Sequence, residues 1–312
     1  MKAIQFFAIT ALGAALFASC SNEEELATGS YPSDNLIRVT AGVNNDMTRS
    51  DEATATALNK NFSLTVVNQT NDKYSYANEI FSLSSGTEWT CSNKLLWQNL
   101  ATQVEIVALY PAADASTFSG VYTKGNKSYG TITYGVNSDQ STAAEADDLL
   151  LYHNTNFVPE NDLKEEKLDI QFNHAFCRVD IEVTIGSEFN ATTGLAANPI
   201  QGIRVEGTKT TADINFASAS PTITAKGDAA SIIPTPGNFT PAASAANQAI
   251  ARYSCIVIPQ TADLNIVLHT SDKEYEWTGT KMALESGKQY TLKLNMTKKS
   301  TTARKFILRE RK

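Results

Sequence analysis

Apolar and polar residues alternate in short runs along most of this chain, and the period is two rather than 3.6. Ile37, Val39, Ala41 and Val43 share one parity in LIRVTAGV. NFSLTVVN follows at 61–68, and QVEIVALYP, from Gln103 to Pro111, is a nearly continuous apolar strand stopped by proline. GTITYGV and DLLLYHN come next. The run LDIQFNHAFCRVDIEVTI, 168–185, alternates cleanly in its second half. Later strands are expected at IQGIRVEG, SIIPT, RYSCIVIP, LNIVLHT, KEYEWTG and QYTLKLNM. Gly, Asn, Asp, Ser or Pro punctuates nearly every gap, which predicts an all-β chain of sandwiches rather than βαβ units. The stretch 217–248 is rich in Ala, Ser, Thr, Pro and Gly and reads as a long loop carrying little core. The charged ENDLKEEK, Glu160 to Lys167, reads as a domain junction.

The N-terminus departs from this pattern. One lysine precedes an apolar run from Ala3 to Phe17, with Gln5 and Thr10 its polar exceptions. About 20 apolar residues are needed to span a bilayer, so this shorter run reads as a signal peptide over 1–19. Phe17-Ala18-Ser19-Cys20 resembles a lipobox, in which Cys20 becomes the lipidated first residue of the mature protein. The plainer alternative is ordinary cleavage that leaves Cys20 a thiol. The Ser-Asn-Glu-Glu-Glu that follows is similar to the acidic export signal of surface lipoproteins, so 20–35 reads as a lipidated tether.

With 312 residues the chain has room for two domains of ordinary size. Four cysteines do not make a disulfide scaffold. If Cys20 carries lipid, Cys91, Cys177 and Cys255 allow at most one bridge, and Cys177 has the parity of a buried hydrophobe. The C-terminal 297–312 holds seven Lys or Arg against one Glu, a net of +6 on a chain whose total is −7. It reads as a solvated basic tail, with contact to an anionic surface as the alternative. The acidic remainder argues against nucleic acid as a partner.

Little in the sequence points to catalysis, and no cofactor or metal is expected. A phosphate loop, a His-Glu-x-x-His and a Cys-x-x-Cys are all missing. His153, His174 and His269 lie far apart, each in or beside a strand, and Asp147-Asp148 reads as an acidic turn. Trp89, Trp97 and Trp277 could stack on sugar rings, but they stand in strand contexts where core packing is the default.

Several segments together resemble the fimbrillin family, the pilin-like surface lipoproteins of Gram-negative anaerobes. They are LIRVTAGVNNDMTRS with its Thr48-Arg49, and Trp97 followed by VEIVALYP. Asp148-Leu149-Leu150, FNHAFCRVDIEV, the IVIPQ strand and the closing Gly287-Lys288-Gln289-Tyr290-Thr291-Leu292 complete the set. The match runs from about Leu36 to Met296. The resemblance implies two tandem transthyretin-like β-sandwich domains, at 36–160 and 161–296. It also implies an outer-membrane or fimbrial location, a role in adhesion without catalysis, and other fimbrillin subunits as partners. Assembly would follow cleavage after Arg49 by a trypsin-like protease, loss of the strand 36–43, and entry of another subunit's segment. Arg49 could equally be an ordinary surface arginine, and Arg38 is a poorer site because it lies within the strand. Phe306 and Leu308 are the apolar pair that 297–312 offers on one parity as a donor, crowded by basic residues. The alternative function is a surface lipoprotein that does not polymerise and binds glycans on a host or bacterial surface.

Overall fold

The computed structural model describes residues 31–44, 58–84, 88–112, 122–123, 128–142 and 148–310. Cys20 and Arg49 lie outside the described residues.

The first half of the chain supplies β1 (Arg38–Val43), β2 (Phe62–Val67), β3 (Tyr76–Leu83), β4 (Trp89–Cys91) and β5 (Val104–Tyr110). β6 (Tyr122–Thr123) and β7 (Ser128–Tyr129) form a separate two-stranded ribbon. Then come β8 (Thr131–Gly135), β9 (Leu150–Phe157), a one-turn helix α1 (Pro159–Asp162) and β10 (Lys167–His174). Seven of these strands close into a barrel in the order β1-β10-β9-β5-β2-β3-β4. Its core contains Phe62, Leu64 and Val66 from β2, Ile106, Ala108 and Tyr110 from β5, and Leu168, Ile170 and Phe172 from β10. The period of two puts each set on one face of its strand. β3 and β4 were not legible beforehand: Tyr76–Leu83 has one fully buried residue, Phe81, and β4 is three residues long.

β10 corrects an expectation. The run 168–185 is two strands, not one, and the first of them completes the first barrel instead of opening the second sandwich. β10 pairs with β1 and β9, and its apolar face lies in the first core. The charged stretch before it is a tight turn. Lys164 and Lys167 exchange backbone hydrogen bonds at 2.9 Å, and Glu165 and Glu166 both take positive φ, 49° and 63°. Two such residues make the turn whose twist matches a hairpin. The break falls at Ala175-Phe176, both buried in the second core.

The second half supplies β11 (Cys177–Ile185), β12 (Gly202–Asn215), β13 (Thr222–Ile232), β14 (Thr235–Pro236), β15 (Ala249–Val257), β16 (Gln260–His269), β17 (Glu274–Leu284), β18 (Lys288–Met296) and β19 (Thr301–Glu310). One sheet has the order β14-β15-β11-β18-β19, and the other runs β13-β12-β16-β17. Their apolar residues share a core: Val179, Ile181 and Val183 of β11, Leu292 and Leu294 of β18, and Ile203, Val205, Ile266 and Leu268 of β12 and β16. Gly207 marks a bulge between Val205 and Thr208 in the β12–β13 pairing. Its φ is +87°, and a Cβ there would stand 2.0 Å from the Asp263 carbonyl oxygen, so only glycine fits.

Two more expectations change here. The stretch taken as a loop contains β13, an edge strand whose only fully buried residue is Ile232. An edge strand with most of its side chains in water needs no apolar alternation, so the sequence hid it. The basic tail likewise contains a strand: β19 pairs with β18 from Met296↔Thr301 to Lys288↔Glu310.

The two bodies are interlocked. β5 and β9 are apolar on both faces: Ile106, Ala108 and Leu150 belong to the first core, while Val107, Leu109 and Leu151, with Leu149 just ahead of β9, belong to the second. β8 leaves the first half of the chain and pairs with β12 from Thr211↔Gly135 to Asn215↔Thr131. Gln140 follows it in, fully buried. Its Nε2 donates to the carbonyls of Ile256 and Asn137, both at 2.9 Å, and its Oε1 accepts from the Ile256 N–H at 2.8 Å. Gln140→Ala strands these backbone groups away from water, so it should cost about 2–3 kcal/mol of stability, read from urea unfolding.

Candidate functional site

Among the described residues no three His, Cys, Asp or Glu side chains gather as metal ligands would. The feature with functional geometry is the seat of β1. Chain entry to it is fixed by backbone bonds: Ile37 N–H donates to Leu95 O at 3.0 Å, and Trp97 N–H donates to Asn35 O at 2.8 Å. β1 then runs parallel to β10 over six residue pairs, Arg38↔Lys167 to Val43↔Phe172. On its other side the register with β4 is one pair, Val39↔Trp89. β1 is therefore the closing strand of the barrel, laddered fully along one edge and barely along the other.

Its inward residues are Ile37 and Val39, 6% and 4% exposed, followed by the half-buried Ala41 and Val43. They share a core with an aromatic cluster in which the Phe62 ring lies 4.8 Å from Trp89, 5.2 Å from Phe81 and 5.7 Å from Phe172. Burying each of Ile37 and Val39 contributes about 1.5–3 kcal/mol. Without β1, the edge of β10 would lose its ladder and this aromatic core its cover. An open edge beside an apolar core is a template for another strand.

The outward face of β1 is polar. Arg38 is paired to Asp34 through Nη1–Oδ1 at 3.0 Å and Nη2–Oδ2 at 2.7 Å, and these bonds hold the exposed Asp34 carboxyl down to about 2. Arg38 is thus within the strand and engaged. Thr40 Oγ1 donates to Asp169 Oδ1 at 3.3 Å, while Lys164 Nζ and Gln171 Nε2 reach the same carboxylate at 2.6 and 2.7 Å. Burial pushes the Asp169 pKa up, but the hydrogen bonds from Lys164 and Gln171, the Lys164 charge and the Thr40 hydroxyl outweigh it. The net position is below the ordinary 3.8. The partnership of Asp169 with Thr40 was not visible in the sequence, because 129 residues separate them.

Other residues singled out earlier take structural places. Trp89 and Trp97 are 6% and 2% exposed, buried in the first core, so neither presents a face to a sugar. Trp277 is half-buried against the second core. Each histidine meets a carboxylate: His153 Nε2 is 2.6 Å from Glu105, His174 Nδ1 bonds Asp148, and His269 Nε2 is 2.5 Å from Glu274. Cys91, Cys177 and Cys255 are free thiols. Cys177 is fully buried, with its Sγ 3.0 Å from Val257 O, and burial pushes the Cys255 thiol well above its ordinary pKa.

The paired β bodies have counterparts among solved structures. One is a protein of Bacteroides uniformis, provisionally described as a cell adhesion protein. It has a TM-score of 0.61 and 15% identity, covering 89% of this chain and 100% of that one. Another, of Bacteroides ovatus and similarly described, gives 0.60 and 14%, covering 88% and 97%. At such identity the likeness is one of fold. No curated protein sequence matches the chain. A family model described as fimbrillin-like matches residues 39–306, from inside β1 to inside β19. The chain belongs to the fimbrillin-like family.

A carboxylate held low in the folded state adds stability that is complete above 3.8 and is lost as pH falls through the folded-state value. Asp169→Asn should therefore shrink the drop in melting temperature between pH 5 and pH 2.5, compared with the unaltered protein. An unchanged drop would show that Asp169 does not contribute.

Proposed function

We propose that this protein is a fimbrial subunit or fimbria-associated adhesion protein, acting through strand exchange and surface contact rather than catalysis. The observation that carries this reading is the seat of β1: a closing strand with one full ladder, one residual contact and an apolar core beneath it. Membership of the fimbrillin-like family supports it. In this reading the two β bodies are transthyretin-like modules. The partners are other fimbrillin subunits, and the location is the cell surface.

Arg49 is the proposed processing site. It falls in the sequence between Val43, the last residue of β1, and Phe62, the first of β2, so a cut after it severs β1 from the rest of the barrel. β1 then stays only by its ladder and its buried residues, and an incoming extended segment can compete for both. This is donor-strand complementation. Cys20 is the proposed lipid anchor. Each buried methylene of an acyl chain adds about 0.8 kcal/mol, and two or more chains hold a protein on a membrane stably.

Limited trypsin treatment of the mature protein should cut after Arg49 and yield ladders or filaments with suitable subunits, seen by size-exclusion chromatography and electron microscopy. If Arg49→Ala assembles as readily as the unaltered chain, processing there is not the trigger. Separately, Cys20→Ala should move the protein from the outer-membrane fraction to the soluble one. Retention in the membrane fraction would remove the anchor from this reading.

A further inference from the structure

One block of the chain runs against its overall charge. Residues 297–312 carry +6 within a total of −7. The fold places the first of them at the far end of the second body. β11 begins at Cys177, beside the first body, and its nine residues carry the sheet about 30 Å away from it. Ile185, the last of them, pairs with Met296 of β18, and Met296 pairs with Thr301 of β19. The turn at 297–300 is therefore at the end opposite the first body.

Two other segments lock that turn in place. In the turn at 270–273 Lys273 Nζ donates to the Lys298 carbonyl at 2.5 Å. In the short 3-10 turn Ser187–Phe189 Glu188 Oε1 accepts from the Lys298 N–H at 3.1 Å. Within 297–300 the Thr297 N–H donates to the Ser300 carbonyl at 2.8 Å. Two aromatic rings lie under the ammonium groups. Lys273 Nζ is 4.5 Å from the centre of the Tyr275 ring, Lys298 Nζ is 5.9 Å from that of Phe189, and the rings meet edge-on at 6.1 Å. Tyr275 is buried and Phe189 half-buried, so the rings hold the ammonium groups from one side by cation–π attraction and leave the other side to solvent.

The carboxylates at this end are engaged elsewhere. Glu274 meets Arg204 and His269, Asp272 Oδ1 accepts from the Ser271 hydroxyl at 3.0 Å, and Glu188 holds the Lys298 N–H. Among the described residues no carboxylate forms an ion pair with Lys273, Lys298 or Lys299, and all three side chains are exposed. Lysines are point charges on flexible stems, without the fork of arginine that grips one phosphate from two sides, so they suit anions spaced along a polymer. The exposed Ser271 and Ser300 add hydroxyls beside them. A lipid surface fits less well. The exposed large apolar residues, Ile80, Leu83, Leu100 and Ile233, all lie outside these turns, so nothing here would enter a bilayer.

We propose that Lys273, Lys298 and Lys299 form a site for an anionic polysaccharide, bearing sulfate or carboxylate groups, at the outer end of the second body. The site deepens the surface-contact part of the function proposed above and rests on it.

The test measures binding of the purified mature protein to immobilised heparin, hyaluronan and dextran, with vesicles of phosphatidylglycerol and phosphatidylcholine as a fourth surface. Heparin, hyaluronan or both should bind, and should bind more weakly as salt is raised. Heparin alone would assign the sulfate, hyaluronan alone the carboxylate. Lys298→Gln with Lys299→Gln keeps the bond from Lys273 to the 298 carbonyl and should weaken binding while leaving the melting temperature unchanged. Adding Lys273→Gln should bring the loss to at least about tenfold. Lys94→Gln with Lys167→Gln, which removes two exposed cations of the first body, should change nothing. The site is refuted if neither anionic polymer binds, if dextran or the vesicles bind as tightly, or if the first-body pair weakens binding as much as the Lys298 and Lys299 pair. Filaments that form after trypsin while heparin and hyaluronan fail to bind would refute this site and leave assembly standing. Binding that persists when Arg49→Ala shows processing to be irrelevant would leave this site standing.

Discussion

The barrel has to close. Its inner face is lined by Phe62, Leu64, Ile106, Ile170 and Phe172, all with no measurable exposure, and a sheet so apolar on one side has no stable open form in water. β1 supplies the last row of that lining and the last ladder to β10. The seat of β1 is built from a backbone ladder and a row of apolar side chains, and the strand exchange proposed above rests on those two features.

The second body depends on the first through strands that face both ways. β5 and β9 send alternate residues into two cores, and the segment from β8 to Gln140 is built into the second sandwich. The bodies are therefore coupled through buried side chains and strand pairing. Two histidine–carboxylate pairs lie where the bodies meet. His153 with Glu105 sits on the outward parity of β9 and β5 and meets the Phe216 ring edge-on, and His174 with Asp148 stands where β10 ends and β9 begins. Load on one body would pass to the other through sheet and core rather than through a flexible linker.

The strongest sequence signals were those where both demands of a strand, period and burial, coincide. LIRVTAGV, FSLTVV, VEIVALY and CRVDIEVTI all became strands, because residues packed on one side and wet on the other write that difference into the chain. β13 and β19 were missed for the opposite reason. An edge strand gains its stability from a backbone ladder on one side, which any residue except proline can supply. Trp97 illustrates another limit. Its alternatives, core or sugar platform, differ only in which neighbours it meets, and its near-parallel stack at 5.5 Å on Phe157, sixty residues away, decided for the core.

The amino-acid sequence alone determined that this is an all-β chain, which strand carries the Ile37–Val39–Ala41–Val43 face, and that an arginine, Arg49, follows that strand in the sequence. Local alternation and composition suffice for these. Only the tertiary structure decided that β10 belongs to the first barrel and β19 to the second sandwich, and that β1 is the strand on which closure depends. Those are questions of which edges meet. Backbone N–H and C=O groups are the same in every strand, so pairing partners are chosen by the shape and burial of the whole and leave little trace in any one segment.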